Sequence, residues 1–135
     1  VGKARARSTT AASLTLDAGA LIALDRGDRR MIALLAEALR RGLALRVPAG
    51  VVGQAWRDGS RQATLARFLA AEEVRIVPLD EHLSRACGEL CGQSGAADVI
   101  DASVVIVARE REDAIVTGDA DDLRRLDPKC VLIEV

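Results

Sequence analysis

The sequence predicts an α/β fold, a single domain whose parallel sheet of about five strands is covered by helices on both faces. Three observations predict it. Short apolar strand-like runs alternate with segments whose apolar residues recur at helical spacing. No two of those runs are joined by a hairpin signal, so consecutive strands are connected through helices and run parallel. And 135 residues, half of them hydrophobic, suffice for one domain with a proper core.

The elements follow in order. Residues 1–12 carry Lys3, Arg5 and Arg7 among serines and threonines, with no apolar period. They read as a flexible basic N-terminal extension, and the domain proper spans 13–135. The first strand is Ser13 to Leu16. A short helix follows from Ala18 to about Leu24, then a turn at Asp25-Arg26-Gly27-Asp28. The next helix runs from about Arg29 to Arg41, with Met31, Leu34, Leu35, Ala38 and Leu39 at helical spacing, and Gly42 stops it.

The second strand is Leu43 to Val47. Pro48 opens a helix carrying Val51, Val52, Gln54, Ala55 and Trp56, because proline lacks the amide hydrogen that goes unpaired in a first turn. Asp58-Gly59-Ser60 breaks it, and another helix spans Arg61 to about Ala71. The third strand is Val74 to Val77. Asp80 caps a helix lasting to about Cys91, and Gly92-Gln93-Ser94-Gly95 is a loop. The helix from Asp98 to about Arg111 is apolar almost without a break from Ala102 to Ala108, so it is buried on most sides. The fourth strand is Ala114 to Val116. A turn over Thr117–Asp121, a short helix holding Leu123 to Leu126, a turn at Asp127-Pro128-Lys129 and a last strand at Val131 to Ile133 complete the chain.

Composition excludes several functions. The formal net charge of −1 supplies no strong basic field to gather nucleic acid. Trp56 and Phe68 are the only aromatics, so base stacking is not a main source of RNA affinity. Cys87, Cys91 and Cys130 are an odd set with no signal peptide, which points to reduced thiols in a cytoplasm. Cys87, Cys91 and His82 match no common zinc spacing; the cysteines read as small core residues and His82 as a surface residue. No apolar run is long enough to cross a membrane. The chain has neither common Gly-rich phosphate loop, and with one histidine and no base beside Ser94 it is no Ser-His-Asp hydrolase.

Asp17, Asp101 and Asp119 stand out. A carboxylate directly after a buried strand is costly unless it sits at the sheet's edge with a partner. Asp17 follows the first strand, Asp119 lies just past the fourth, and Asp101 begins the helix that feeds the fourth. In parallel α/β sheets the functional crevice lies at the carboxyl ends of the strands, where strand order reverses. If strands one and four are neighbours, these acids converge, and we read them as a seat for a divalent metal.

The pieces Thr15-Leu16-Asp17-Ala18, Asp101-Ala102 leading a buried helix, and Thr117-Gly118-Asp119-Ala120-Asp121-Asp122-Leu123 occur in that order. With Val47-Pro48 through Arg57, they resemble the PIN domain, and specifically the VapC ribonuclease toxins of bacterial toxin–antitoxin pairs. The resemblance runs from about Leu14 to the C-terminus. It implies Asp17, Asp101 and Asp119 as metal ligands. The family's remaining acidic position, a glutamate in most relatives, falls on Gln54, which offers a neutral carbonyl and no charge. Asp98, three residues before Asp101, is either the helix N-cap or a further group of the site; we assign it the cap and Asp101 the metal. Asp122 reads as the cap of the short helix before Leu123. Arg57, one turn after Gln54, meets a scissile-strand phosphate or is a solvated surface arginine.

The resemblance implies a metal-dependent endoribonuclease using Mg²⁺ or Mn²⁺, in which the metal lowers the pKa of a bound water and neutralises charge on the phosphate. It also implies an RNA substrate, a homodimer and a cognate antitoxin whose Arg or Lys enters the acidic pocket. Two other readings stand beside it. One is a degenerate PIN module that binds antitoxin or RNA with little cleavage, motivated by Gln54. The other is a receiver-like signalling domain, which wants paired acids after the first strand and an acceptor Asp after the third; only Asp17 follows the first, and Asp80 stands three residues past the third.

Overall fold

A computed structural model describes residues 13–135, so the extension expected over 1–12 lies outside the described residues. In chain order the elements are β1 Ser13–Leu16, α1 Ala18–Asp25, α2 Arg29–Arg40, β2 Ala44–Pro48, α3 Ala49–Ala55, α4 Ala63–Leu69, β3 Val74–Val77, α5 Glu81–Ser94, α6 Val99–Arg111, β4 Ala114–Thr117, α7 Ala120–Leu126 and β5 Leu132–Glu134.

Aspartates start four of the helices by satisfying an orphan amide in the first turn. Asp17 accepts from Ala20 N, Asp28 from Met31 N, Asp80 from Leu83 N and Asp98 from Asp101 N. Several boundaries differ from the sequence reading. Pro48 ends β2 and stands as the N-cap of α3, because its ψ of 140° is extended and the helical turn begins at Ala49. Trp56 leaves the helix in extended backbone, and α4 begins only at Ala63. Helix α5 continues through the expected loop to Ser94 and ends at Gly95, whose φ of 77° is the left-handed conformation glycine adopts without strain. Helix α7 begins at Ala120, so Asp119 occupies the cap position and Asp122 lies inside the helix; the capping role expected for Asp122 is corrected.

The sheet is entirely parallel, in the order β3-β2-β1-β4-β5. The chain builds outward from β1 to β3, returns through α5 and α6, and places β4 on β1's other side. Every residue of β1 and β4 is buried, because helices cover both faces. Helix α6 lies against β1, β2 and β4 and along α5 and α7, burying Ala102, Val104, Val105, Val107 and Ala108. Leu16, Leu21, Leu45, Leu65, Ile115 and Leu123 are fully buried in the same core. Cys87 is buried there as a free thiol, and His82 is exposed on α5. No single helix among the described residues is long and apolar enough to cross a membrane.

One buried polar cluster holds the opposite, amino-terminal end of the strands. Asp113, just before β4, accepts from Thr15 Oγ1 at 2.8 Å and from Ser13 Oγ, and pairs with Arg46 Nη1 of β2 at 3.1 Å. Three strands are thus tied by one carboxylate whose partners satisfy it, the condition under which a buried charge is tolerated.

Candidate functional site

Strand order reverses between β1 and β4, and the carboxyl ends of these two strands meet there. Leu16 faces Val116 across the ladder, and Asp17 N continues it by donating to Val116 O at 3.1 Å. The chains then diverge around a close backbone contact. A Cβ on Gly19 would fall 2.7 Å from Gly118 Cα, so glycine at both positions is what lets the start of α1 approach the β4–α7 turn.

Asp17 is 5% exposed. Its Oδ1 accepts from Ala20 N at 2.9 Å and Gly118 N at 3.3 Å, and its Oδ2 accepts from Thr117 Oγ1 at 2.5 Å. Thr117 is fully buried at the end of β4, and the same hydroxyl oxygen accepts from Asp119 N at 2.7 Å. The hydroxyl therefore links the carboxylate after β1 to the backbone of the aspartate after β4. In the sequence Thr117 stands within the motif without a role of its own; its one signal is a hydroxyl residue ending an otherwise apolar strand directly before Gly118-Asp119.

Asp119 stands at the cap position of α7, yet its side chain makes no capping bond. Its carboxyl instead meets that of Asp122, and this contact raises Asp122 from its ordinary value. Asp121 points elsewhere, exposed and paired with Arg124 at 3.4 Å. Across the crevice, the start of α3 packs against the start of α6: a Cβ on Gly50 would clash with Ile100. That contact carries the Asp98–Asp101 turn to the α3 side of the crevice. Asp98 caps α6 through Asp101 N at 3.0 Å, and Asp101 is half-buried. Burial, and then the charges of Asp98, Asp122, Asp17 and Asp119, push Asp101 up to about 6.

One open hollow of about 450 Å³ collects these groups: Asp17, Asp98, Asp101, Asp119 and Asp122, with Gln54 and Arg57 from α3 and the residues after it. Every site residue named from the sequence thus lines one space, and Asp122 joins them. A hollow of similar size at the other end of the strands has mixed charge, with Arg109 and Asp127 paired across it at 3.1 Å. It offers no comparable concentration of one sign. Asp80 caps α5 behind the edge strand β3 and is not part of the acidic hollow, so the receiver-like arrangement of acids is not formed.

The donor set fits a divalent cation in charge. Oxygen ligands of this kind suit hard cations, and a like-charged group that raises Asp101 is relieved by one. Among the described residues no three acidic, His or Cys side chains stand in a ready-made metal-holding group. A cation here would keep waters in its coordination sphere, as Mg²⁺ does, or draw the carboxylates inward.

Comparison with known proteins identifies the fold. The chain has 18% identity to VapBC2 from Rickettsia felis, whose structure was solved bound to a DNA fragment from their promoter; the match covers 90% of this chain and 98% of that one, with a TM-score of 0.66. A toxin–antitoxin complex from Klebsiella pneumoniae aligns at 15% identity over 90% of this chain and 96% of that one, with a TM-score of 0.66. VapC20 from Mycobacterium tuberculosis, described as a sarcin–ricin loop cleaving toxin, aligns at 16% identity over 82% of this chain and 92% of that one, with a TM-score of 0.62. At these identities the likeness is one of fold. No curated protein sequence matches significantly. The family model of the PIN domain matches residues 14–129, from β1 to the turn before β5, and the chain therefore belongs to the PIN-domain family, with the fold of the VapC-type toxins.

Proposed function

We propose that this PIN domain is a Mg²⁺- or Mn²⁺-dependent endoribonuclease, acting in the cytoplasm as the toxin of a toxin–antitoxin pair. One observation carries the reading. Five aspartates share the crevice at the topological switch point, and among the described residues Asp17, Asp98, Asp101 and Asp119 have no basic side chain paired with them. A fold that gathers this much uncompensated charge needs a cation to complete it.

In this reading Asp17, Asp101 and Asp119 hold the metal, and Gln54 contributes a neutral amide oxygen. When bound, the cation supplies a water of lowered pKa and neutralises charge on the phosphodiester. The protein's own share is orientation. Thr117 and two backbone amides fix Asp17; Asp98 holds the first turn of α6 and with it Asp101; Arg57 at the rim meets a phosphate of the bound strand. The solved neighbours from Rickettsia and Klebsiella are toxin–antitoxin assemblies, and the Mycobacterium neighbour is described as cleaving the sarcin–ricin loop. These descriptions support a cognate antitoxin and an RNA substrate for this chain. A homodimer supplies the shape on which specificity rests, since the chain has so few aromatics for stacking.

A second reading is a module that binds antitoxin or RNA with little cleavage. Gln54 favours it, because it brings no charge to the position that the family resemblance makes a glutamate in most relatives. Incubating the purified chain with RNA and Mn²⁺, with and without EDTA, separates the two. Cleavage that is abolished by EDTA and by Asp17→Asn, with the variant's circular dichroism unchanged, is the expected result. Binding without cleavage moves the assignment to the second reading. Cleavage at wild-type rate by the Asp17→Asn variant overturns the site.

A further inference from the structure

Gln62 lies just before α4, half-buried, outside the acidic hollow. Its amide is fully used. Oε1 accepts from Arg57 N at 2.7 Å and from Asp58 N at 2.9 Å; Nε2 donates to Ala55 O at 2.9 Å and to Asp25 Oδ2 at 3.2 Å. One neutral side chain therefore joins the end of α1, the end of α3 and the backbone of Arg57.

Arg57 is the group this arrangement controls. It lines the hollow with five aspartates, yet among the described residues it forms no ion pair with any of them. Its Nη1 instead donates to Gly53 O at 2.8 Å and Trp56 O at 2.7 Å, carbonyls at the carboxyl end of α3. A long, mobile cation beside a cluster of carboxylates is drawn onto them, and doing so would quench the charge a metal needs. Here the backbone is pinned at Arg57 N and the guanidinium is tethered to its own helix. The remaining N–H donors of its planar fork stay available at the rim, in the geometry that suits a phosphate.

The 56–62 loop has other closures that do not involve Gln62. Asp58 accepts from Ser60 N at 3.0 Å and from Ser60 Oγ at 2.7 Å, and Arg61 N donates to Asp58 O at 2.9 Å. These closures do not use the glutamine, whereas among the described residues the Arg57 N–H has Gln62 Oε1 as its one hydrogen-bond partner.

We propose that Gln62 is a positioning residue for the nucleic-acid site: by fixing the Arg57 backbone it holds that guanidinium at the rim of the hollow, where it contacts a phosphate of a bound single-stranded RNA instead of collapsing onto the aspartates. The proposal rests on the nuclease reading above.

The salt dependence of RNA binding tests it. Each phosphate contact to a single strand contributes about 0.7 to the slope of log affinity against log salt. Anisotropy titrations would use a labelled single-stranded RNA of mixed sequence, with Ca²⁺ filling the metal site. Arg57→Ala is expected to lower the slope by about 0.7 and the affinity about tenfold, the size of one charged hydrogen bond. Gln62→Ala removes no charge, yet is expected to lower the slope by the same amount, and the double variant is expected to fall no further. A purely structural Gln62 would lower the melting temperature and leave the slope unchanged, and that result overturns the proposal. An unchanged slope in Arg57→Ala overturns it as well. Gln62→Met, which keeps length and packing but makes none of the four bonds, carries the same expectation if the alanine variant does not fold. Absence of RNA binding by the wild-type chain would instead defeat the nuclease reading itself, and with it this inference.

Discussion

The Thr117 hydroxyl donates to Asp17 and accepts from the Asp119 amide, so its orientation is set from both sides. Replacing it with valine keeps the volume and removes both bonds. Asp17 Oδ2 would then be left buried without that donor, at a cost of about 1–3 kcal/mol. Thr117→Val is therefore expected to lower stability by that amount and to weaken Mn²⁺ binding, as thermal melts and calorimetric titration would show. Gln54 is the complementary case, a half-buried residue that lines the acidic hollow without charge. Glutamate has nearly its shape. At about 4 Å and an effective dielectric of about 20, one added charge is worth ~4 kcal/mol to a monovalent partner, and desolvation and repulsion from the aspartates offset most of it. Gln54→Glu is expected to tighten Mn²⁺ by up to roughly tenfold and to lower the melting temperature in EDTA. If neither changes, Gln54 does not face the cation.

At the scale of elements, helix ends do the positioning. The same first turn of α6 uses one aspartate as cap and presents the next to the hollow. The two roles are separable, because asparagine caps as well as aspartate while alanine costs about 1 kcal/mol. Asp98→Asn is expected to keep both stability and metal-dependent cleavage, and Asp101→Ala to lose cleavage while remaining folded. A dead Asp98→Asn beside an active Asp101→Ala would mean the pair is assigned the wrong way round. Helix α7 shows the reverse economy. Asp119 sits where a cap belongs and forgoes the capping bond, and its carboxyl faces Asp122. Asp119 is thus a good cap residue that lines the acidic hollow without capping its own helix.

At the scale of the whole molecule, a paired buried charge and an acidic crevice occupy opposite ends of the same strands. The Asp113–Arg46 pair with Ser13 and Thr15 closes the amino-terminal end, and the five aspartates of the hollow crowd the carboxyl end. The crowding has a consequence for pH. Asp101 is raised from 3.8 in the unfolded chain to about 6 in the fold, mainly by burial and then by the neighbouring carboxylates. Stability from its protonation is fully present below the lower value and is lost as pH rises through the higher one. The metal-free chain is therefore expected to gain stability on acidification from about pH 7 to about pH 5 relative to Asp101→Asn. Melting curves in EDTA would show the difference between the two proteins, and saturating Mn²⁺, which competes with the proton, should shrink it. Identical pH profiles in EDTA would show that Asp101 is not held above its ordinary value in the fold.

Periodicity alone determined the alternation of strands and helices, since a buried sheet needs short apolar runs and its covering helices need a recurrent apolar face. It also located Asp17, Asp101 and Asp119, because a charge at the edge of an apolar run is visible in one dimension. Helix ends were less legible. Gly92 does not break α5, since a glycine inside a helix costs only about 1 kcal/mol and packing outweighs it, and α7 starts before the first residue that looks helical. Strand order was decided only in three dimensions: placing β4 beside β1 brings Asp17 and Asp119 to one crevice, and the packing of α6 brings Asp101 there. So were the roles of Thr117, Asp113 and Gln62, whose partners lie up to 100 positions away in the chain. A hydroxyl or an amide carries no mark of its partner in sequence, because a hydrogen bond is fixed by where the fold places both of its ends.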